Sequence, residues 1–270
     1  MSDDTVADIV ANFRVFAVPF EGNPFQTLIQ SAAFEKLGKG RKGTVLVATD
    51  EKRGTPIVRT TAKFVRPANA FRPIHFELAN KIREVSEQPT EYNNALIETY
   101  TNAYTKMGFH SDLALDLEHG SCIALFSCYK NAEATSNPRR LLVQSKSVPS
   151  TTRPTSGEAR VKVDIALPHQ SVVLFSVAAN QRYQHKIVLM NSDPRDENQW
   201  LGVTFRQSKT YVRYDNEKVD LEDGTPLMCA NEEQRSEFLA LRKKENHETD
   251  FEYPPIAYTI SDSDLLAPVS

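Results

Sequence analysis

Cysteine is scarce in this chain, and what there is does not pair. Cys122, Cys128 and Cys229 are the three in 270 residues. An odd, unpaired set gives neither a disulfide framework nor the cysteine pattern of a zinc site, so a reduced, intracellular setting is expected. Long apolar runs are absent too. Met1 to Asp4 is acidic and no long apolar stretch follows it, so the sequence reads without a signal peptide or transmembrane span, and cytoplasmic or, in a eukaryote, nuclear. Charge of one sign is also missing: the formal net charge is -3 and the pI about 6.1. That speaks against a broad basic surface gripping many phosphates, and leaves nucleic acid only a local patch. Gly38, Gly40 and Gly43 lie in a basic stretch, but no Gly-Lys-Ser/Thr follows to make a nucleotide-binding loop. The stretch reads as a solvated turn, with a contact to phosphate or an anionic substrate as the sharper alternative. The Gly-x-Ser-x-Gly elbow of the serine hydrolases is absent.

What is present is enough apolar sequence for a core: 40% hydrophobic against 25% charged. We expect one domain over residues 1–270. Supporting helices and strands occupy about 1–90, a catalytic core about 91–213, and a C-terminal helix and tail follow. Residues 5–35 read as a strand and a short helix. Ile74, Leu78, Ile82 and Val85 recur at helical spacing behind Pro73, predicting a helix over 73–86. Residues 232–244 read as a surface helix, acidic at its start and basic at its end. Strand patterns dominate from residue 95: 121–128, the alternation from Ala159 to Ile165, 171–177, 186–190 and 201–206. The fold class is mainly β with supporting helices, a double-stranded β-helix or jelly roll. Two polar loops, 145–157 and 191–199, interrupt it, the first a candidate flap. Trp200, the single tryptophan, reads as a packing residue.

The chemistry sits in His110-Ser111-Asp112, with His185 and Arg206 further on. Residues i and i+2 of an extended segment point the same way, so His110 and Asp112 can reach one metal, and His185 can return from across the barrel. Two histidines and a carboxylate are the facial triad that holds non-haem Fe(II) with positions left open. His119 and His169 compete as ligands, but both read as loop residues, with His169 the second choice. Arg206, on a strand pattern, suits a dicarboxylate, because a guanidinium meets a carboxylate with two parallel hydrogen bonds.

Leu96 to Asp112, Ser171 to Phe175, His185 and Leu201 to Arg206 resemble the AlkB-like Fe(II)/2-oxoglutarate dioxygenases. The resemblance covers roughly residues 90–213 at the level of motifs. It implies Fe(II) on His110, Asp112 and His185, with Arg206 pairing the distal carboxylate of 2-oxoglutarate. It further implies O2 as oxidant, succinate and CO2 as products, and hydroxylation or oxidative demethylation of the substrate. Tyr100 falls near the family's cosubstrate tyrosine, with Tyr104 the alternative phenol. The family's asparagine two residues earlier is Glu98 here. A glutamate repels a dicarboxylate, so Asn102 is expected to supply that contact. A second family arginine, six residues after the first, is replaced by Val212 with Arg213 beside it, which weakens the case for alkylated-base repair.

Three substrate classes stay open: a modified nucleobase, a protein side chain and a small metabolite. Two other readings compete: a catalytically silent jelly-roll binding module, and a cupin-like metalloenzyme that does without 2-oxoglutarate and so without Arg206.

Overall fold

The computed structural model describes residues 2–105, 107–134, 137–146, 161–190, 198–216 and 218–270. Before the core come α1 (Ser2–Asn12), β1 (Arg14–Ala17), α2 (Phe25–Gln30), β2 (Glu35–Gly38), β3 (Arg41–Val47), β4 (Thr55–Pro56), β5 (Asn69–Ala70) and α3 (Pro73–Ser86). The core is β6 (Asn94–Tyr100), β7 (Cys122–Tyr129), β8 (Arg140–Ser145), β9 (Lys162–Ala166), β10 (Ser171–Ser176), α4 (Val177–Arg182), β11 (Tyr183–Val188) and β12 (Trp200–Arg206). After it come β13 (Tyr211–Asp215), β14 (Lys218–Leu221), β15 (Met228–Cys229), α5 (Glu232–Glu245) and β16 (Tyr258–Thr259).

The main sheet runs β1-β10-β7-β12-β6-β3-β2, with β5 beside β3, and a smaller sheet runs β11-β8-β9. His110 bridges His185, so the segment around His110 extends the small sheet beyond β11. The chain therefore weaves between layers. It passes from β6 in the main sheet to the His110 segment in the small one, back to β7, out to β8 and β9, back to β10, out to β11, and back to β12. Every pairing within this set is antiparallel. That weave is the double-stranded β-helix, or jelly roll.

Period-two alternation gives the main sheet two apolar faces. Ile97, Phe126, Val172, Val203 and Phe205 point outward and pack with Leu28 of α2 and Leu78 and Ile82 of α3. Tyr100, Leu125, Tyr129, Val173 and Trp200 point inward and meet Leu141, Val143 and Ile187 of the small sheet. Helix α3 forms where the spacing predicts it. Pro73 opens it, Leu78 and Ile82 are fully buried, and Glu87 closes it in the left-handed conformation with φ 53°. Burying each of those side chains contributes about 1.5–3 kcal/mol. Helix α5 is capped by Asn231, whose side chain accepts from the Gln234 N–H.

Several expectations need adjustment. Residues 5–35 hold two helices and a strand rather than one of each. The basic Gly-containing stretch is not an isolated turn. It joins β2 to β3, with Gly40 at φ 73° making the reversal. Strand β11 begins three residues earlier than expected, so His185 lies inside it. Residues 147–160 and 191–197, most of both polar loops, lie outside the described residues, as does the start of the alternation at Ala159. Among the described residues no helix is long and apolar enough to cross a membrane.

Candidate metal centre

The barrel brings His110, Asp112 and His185 together at one end of its interior. One ligand atom from each lies within 4.8 Å of the others. His185 is on the inner face of β11, between Tyr183 and Ile187, which belong to the inner core. His110 is fixed opposite by two backbone hydrogen bonds, 3.0 Å and 2.7 Å, exchanged with His185.

The chain around Asp112 has little regular structure of its own, and other elements hold it. Asn180 of α4 clamps it from both sides: its Oδ1 accepts from the Asp112 N–H at 2.7 Å, and its amide donates to the Asp112 carbonyl at 2.8 Å. The end of α5 secures the flanks. Asn246 Oδ1 accepts from the Ser111 N–H at 3.0 Å, Glu245 from the Ala114 N–H at 2.7 Å, and Arg242 donates to the Ser111 carbonyl. Asn180 and Asn246 have no motif in sequence. Side-chain amides in a loop or at a helix end are common, and only the fold shows which backbone they face.

Each donor group is prepared for a cation. The His110 Nδ1 lies 3.0 Å from the Gly108 carbonyl. A proton there leaves Nε2 with its lone pair free, the arrangement that orients metal-bound histidines. Burial, and then the neighbouring His185, push the His110 pKa down to about 4, so the ring is neutral at pH 7. Burial alone would raise Asp112, but the Arg206 guanidinium and the histidines hold its carboxyl well below the usual range. The two oxygens of Asp112 are divided. Oδ2 accepts from Arg206 Nε at 2.9 Å and Nη2 at 2.7 Å, while Oδ1 faces His185 Nε2 at 3.5 Å. That last separation is at the limit of hydrogen bonding, and His185 Nδ1 is buried with no partner among the described residues. A divalent ion held by Nε2 between the three groups fits the first of these observations, and two imidazoles with one carboxylate are the donor set of non-haem Fe(II).

The centre opens into a cavity of about 490 Å3, a size suited to a small ligand. Arg41, Glu98, Tyr100, Thr204 and Arg206 line it with the triad, and Leu125, Phe175 and Ile187 give it an apolar wall. Thr61 and Gly108, both exposed, border its open side. Tyr100 is fully buried, donates its O–H to Glu98 Oε2 at 2.8 Å, and has its pKa raised well above the ordinary value by burial and by Glu98. Glu98 Oε1 accepts from Arg41 Nε at 2.7 Å and Nη2 at 2.5 Å. Arg41 was missed in sequence because it stands in the basic stretch. The apolar run Val45 to Val47 just after it is the signal that could have placed it on a strand.

The remaining predicted residues divide. Arg206 lines the cavity but is engaged by Asp112. Asn102 sits in the turn after β6 and is not among the cavity-lining residues. Tyr104 lines the cavity, its ring 4.6 Å from that of Tyr100. His169 accepts from the Tyr129 N–H at 3.0 Å, and His119 lies 3.3 Å from Lys209 at a separate cavity of about 550 Å3. Neither joins the triad. Val212 is buried in a separate small core, and Arg213 is exposed and donates to the Lys52 carbonyl. Neither supplies a second arginine to the site. Trp200 is buried in the inner core, its ring 4.7 Å from that of Tyr100.

No protein-family model matches the chain, and no curated protein matches it. Among solved structures it is similar to OsALKBH1, with 15% identity, 76% of this chain and 92% of that chain covered, and a TM-score of 0.42. It is also similar to a prolyl-4-hydroxylase of Pseudomonas putida, with 11% identity, 77% and 99% covered, and a TM-score of 0.38. The jelly-roll fold follows from the strand order itself.

Proposed function

We propose that this protein is an Fe(II)- and 2-oxoglutarate-dependent dioxygenase, AlkB-like in its motifs. The observation that carries the reading is the cluster of His110, Asp112 and His185, whose ligand atoms lie within 4.8 Å of one another in a cavity. Bound there, Fe(II) with 2-oxoglutarate and O2 would supply the oxidising chemistry for hydroxylation or oxidative demethylation, with succinate and CO2 as products.

The chain's own part is positioning. His110 presents Nε2 because Gly108 holds its other nitrogen. Arg206 fixes Asp112 by Oδ2 and so aims Oδ1 at the histidines. The clamps from Asn180 and Asn246 keep the His110–Asp112 segment against β11. Leu125, Phe175 and Ile187 exclude water from the inner wall, and the open side by Thr61 and Gly108 admits substrate. A modified nucleobase or a small metabolite fits a cavity of this size. The net charge of -3 favours the small molecule over a long nucleic acid.

The direct test is succinate formation from 2-oxoglutarate with Fe(II) under air, in the presence of candidate substrates. Wild type forms succinate and His185→Ala forms none; full turnover by the variant would sink the assignment. One observation favours a second reading, a metalloenzyme on the same triad that does not use 2-oxoglutarate. Arg206, the residue expected to take the cosubstrate, is already bound to Asp112. Iron-dependent turnover without any 2-oxo acid would select that reading.

A further inference from the structure

Arg206 is only 8% exposed and is held by a carboxylate of the candidate metal cluster, so the more accessible guanidinium is the better placed for a dicarboxylate. Resting on the reading above, we propose that Arg41 of β3 binds the distal carboxylate of the cosubstrate, and that Arg206 serves instead to orient Asp112.

Three observations converge. The first is placement. Arg41 pairs across the sheet with Tyr100, and it lines the cavity that also contains His110, Asp112 and His185. Its side chain is 25% exposed, against 8% for Arg206, so it is the more accessible of the two guanidinium groups that line the cavity among the described residues. The second is donor capacity. Arg41 places Nε and Nη2 on the same oxygen of Glu98, and a guanidinium carries five N–H donors. A second carboxylate can therefore share it.

The third is charge. Among the described residues, the cavity lining holds Arg41 and Arg206 against Glu98 and Asp112, paired two by two. The lining is balanced before any metal enters. A divalent cation adds two positive charges in a buried place, where uncompensated charge is costly. A 2-oxo acid with one carboxylate restores half of the balance; one with two restores it fully. Glu98 has a defined part in this scheme. It is the counterion that keeps Arg41 and the Tyr100 hydroxyl in place before the ligand arrives. Neighbouring strands leave room for it, with Gly43 and Gly202 opposite it on either side.

The test is equilibrium binding, read from the visible charge-transfer band of the anaerobic Fe(II) protein. 2-Oxoglutarate is compared with 2-oxopentanoate, which has the same chain length and no distal carboxylate. Wild type is expected to prefer 2-oxoglutarate on the order of 10- to 100-fold, the worth of a charge-assisted pair. Arg41→Met collapses the preference, bringing 2-oxoglutarate binding down to that of 2-oxopentanoate in the same variant, and Arg41→Lys retains part of it. Because Arg41→Met strands a buried Glu98, the double variant Arg41→Met/Glu98→Gln is run beside it and also loses the preference. A preference that survives in both Met variants, or is absent in wild type, overturns the assignment to Arg41 and leaves the metal centre standing. No band with either acid in folded, iron-loaded wild type overturns the cosubstrate reading itself, and this assignment with it.

Discussion

At the scale of single residues, partners decide roles. Arg206 meets a carboxylate, as its position in sequence suggested, but that carboxylate belongs to the protein. Groups that hold a metal ligand from behind typically alter metal affinity about 10- to 100-fold when removed. Arg206→Met should therefore weaken Mn(II) binding by that order in calorimetry while the fold persists; unchanged affinity would remove Arg206 from the centre. His75 gives a pH-dependent prediction away from the site. It is fully buried, accepts from the Arg72 N–H through Nδ1 and contacts Ser31 through Nε2. Burial, and then Arg72, lower its pKa from 6.5 to about 4. The unfolded chain thus binds the proton at higher pH than the folded one. The stability from neutral His75 is complete above pH 6.5 and is lost as pH falls to and through about 4. The loss is on the order of 3 kcal/mol. Urea unfolding at several pH values should show that slope flattened in His75→Asn, and an equally steep slope in the variant would refute it. The clustered residues His110, Asp112 and His185 were legible because the chemistry demands those residue types at such a spacing. Arg41, Asn180 and Asn246 were not, since what an arginine or asparagine faces is set by sheet register and helix docking.

At the scale of elements, α3 and α5 were readable because their signals are local, whereas α4, at the end of an apolar strand pattern, was not. Pro73 with its apolar spacing marks α3, and the acidic start and basic end mark α5. Strand β1 answers the one strand expected in 5–35, but β2 was not readable, because it has four residues and sits at the sheet's edge, where alternation is brief. Strand β12 carries a constraint visible only in three dimensions. The Trp200 ring lies across Gly202, and a Cβ at Gly202 would stand 2.1 Å from Trp200 Cη2. The indole is walled in by Tyr100 and cannot yield freely. Gly202→Ala should cost about 1–3 kcal/mol as overpacking, and adding Trp200→Leu should recover part of it in a double-mutant cycle. Simple additivity of the two changes would contradict this packing. Leu78→Ala in α3 should lower stability by about 2–5 kcal/mol in chemical denaturation, without altering metal affinity.

At the scale of the whole molecule, the jelly roll accounts for why distant sequence segments form one centre. The chain crosses between sheets at each turn of the β-helix, so His110 before β7 and His185 on β11 meet at the same end. Closing that end with a metal should stabilise the fold, by about 2.7 kcal/mol when the ion is at 100 times its Kd. The melting temperature should therefore rise with Mn(II) and return to the apo value with a chelator; in His110→Ala it should not respond. The overall β class and the barrel were legible from the run of apolar strand patterns after residue 95, whereas the pairing order was not, because it is a property of long-range register. The central claim is that His110, Asp112 and His185 hold Fe(II) open to a 2-oxo acid. Anaerobic titration of the protein with Fe(II) and 2-oxoglutarate, followed in the visible, tests it most directly. The account predicts a charge-transfer band that saturates at one iron per chain and vanishes in His110→Ala and Asp112→Ala. A folded wild type with no band, or a band undiminished in those variants, would contradict it.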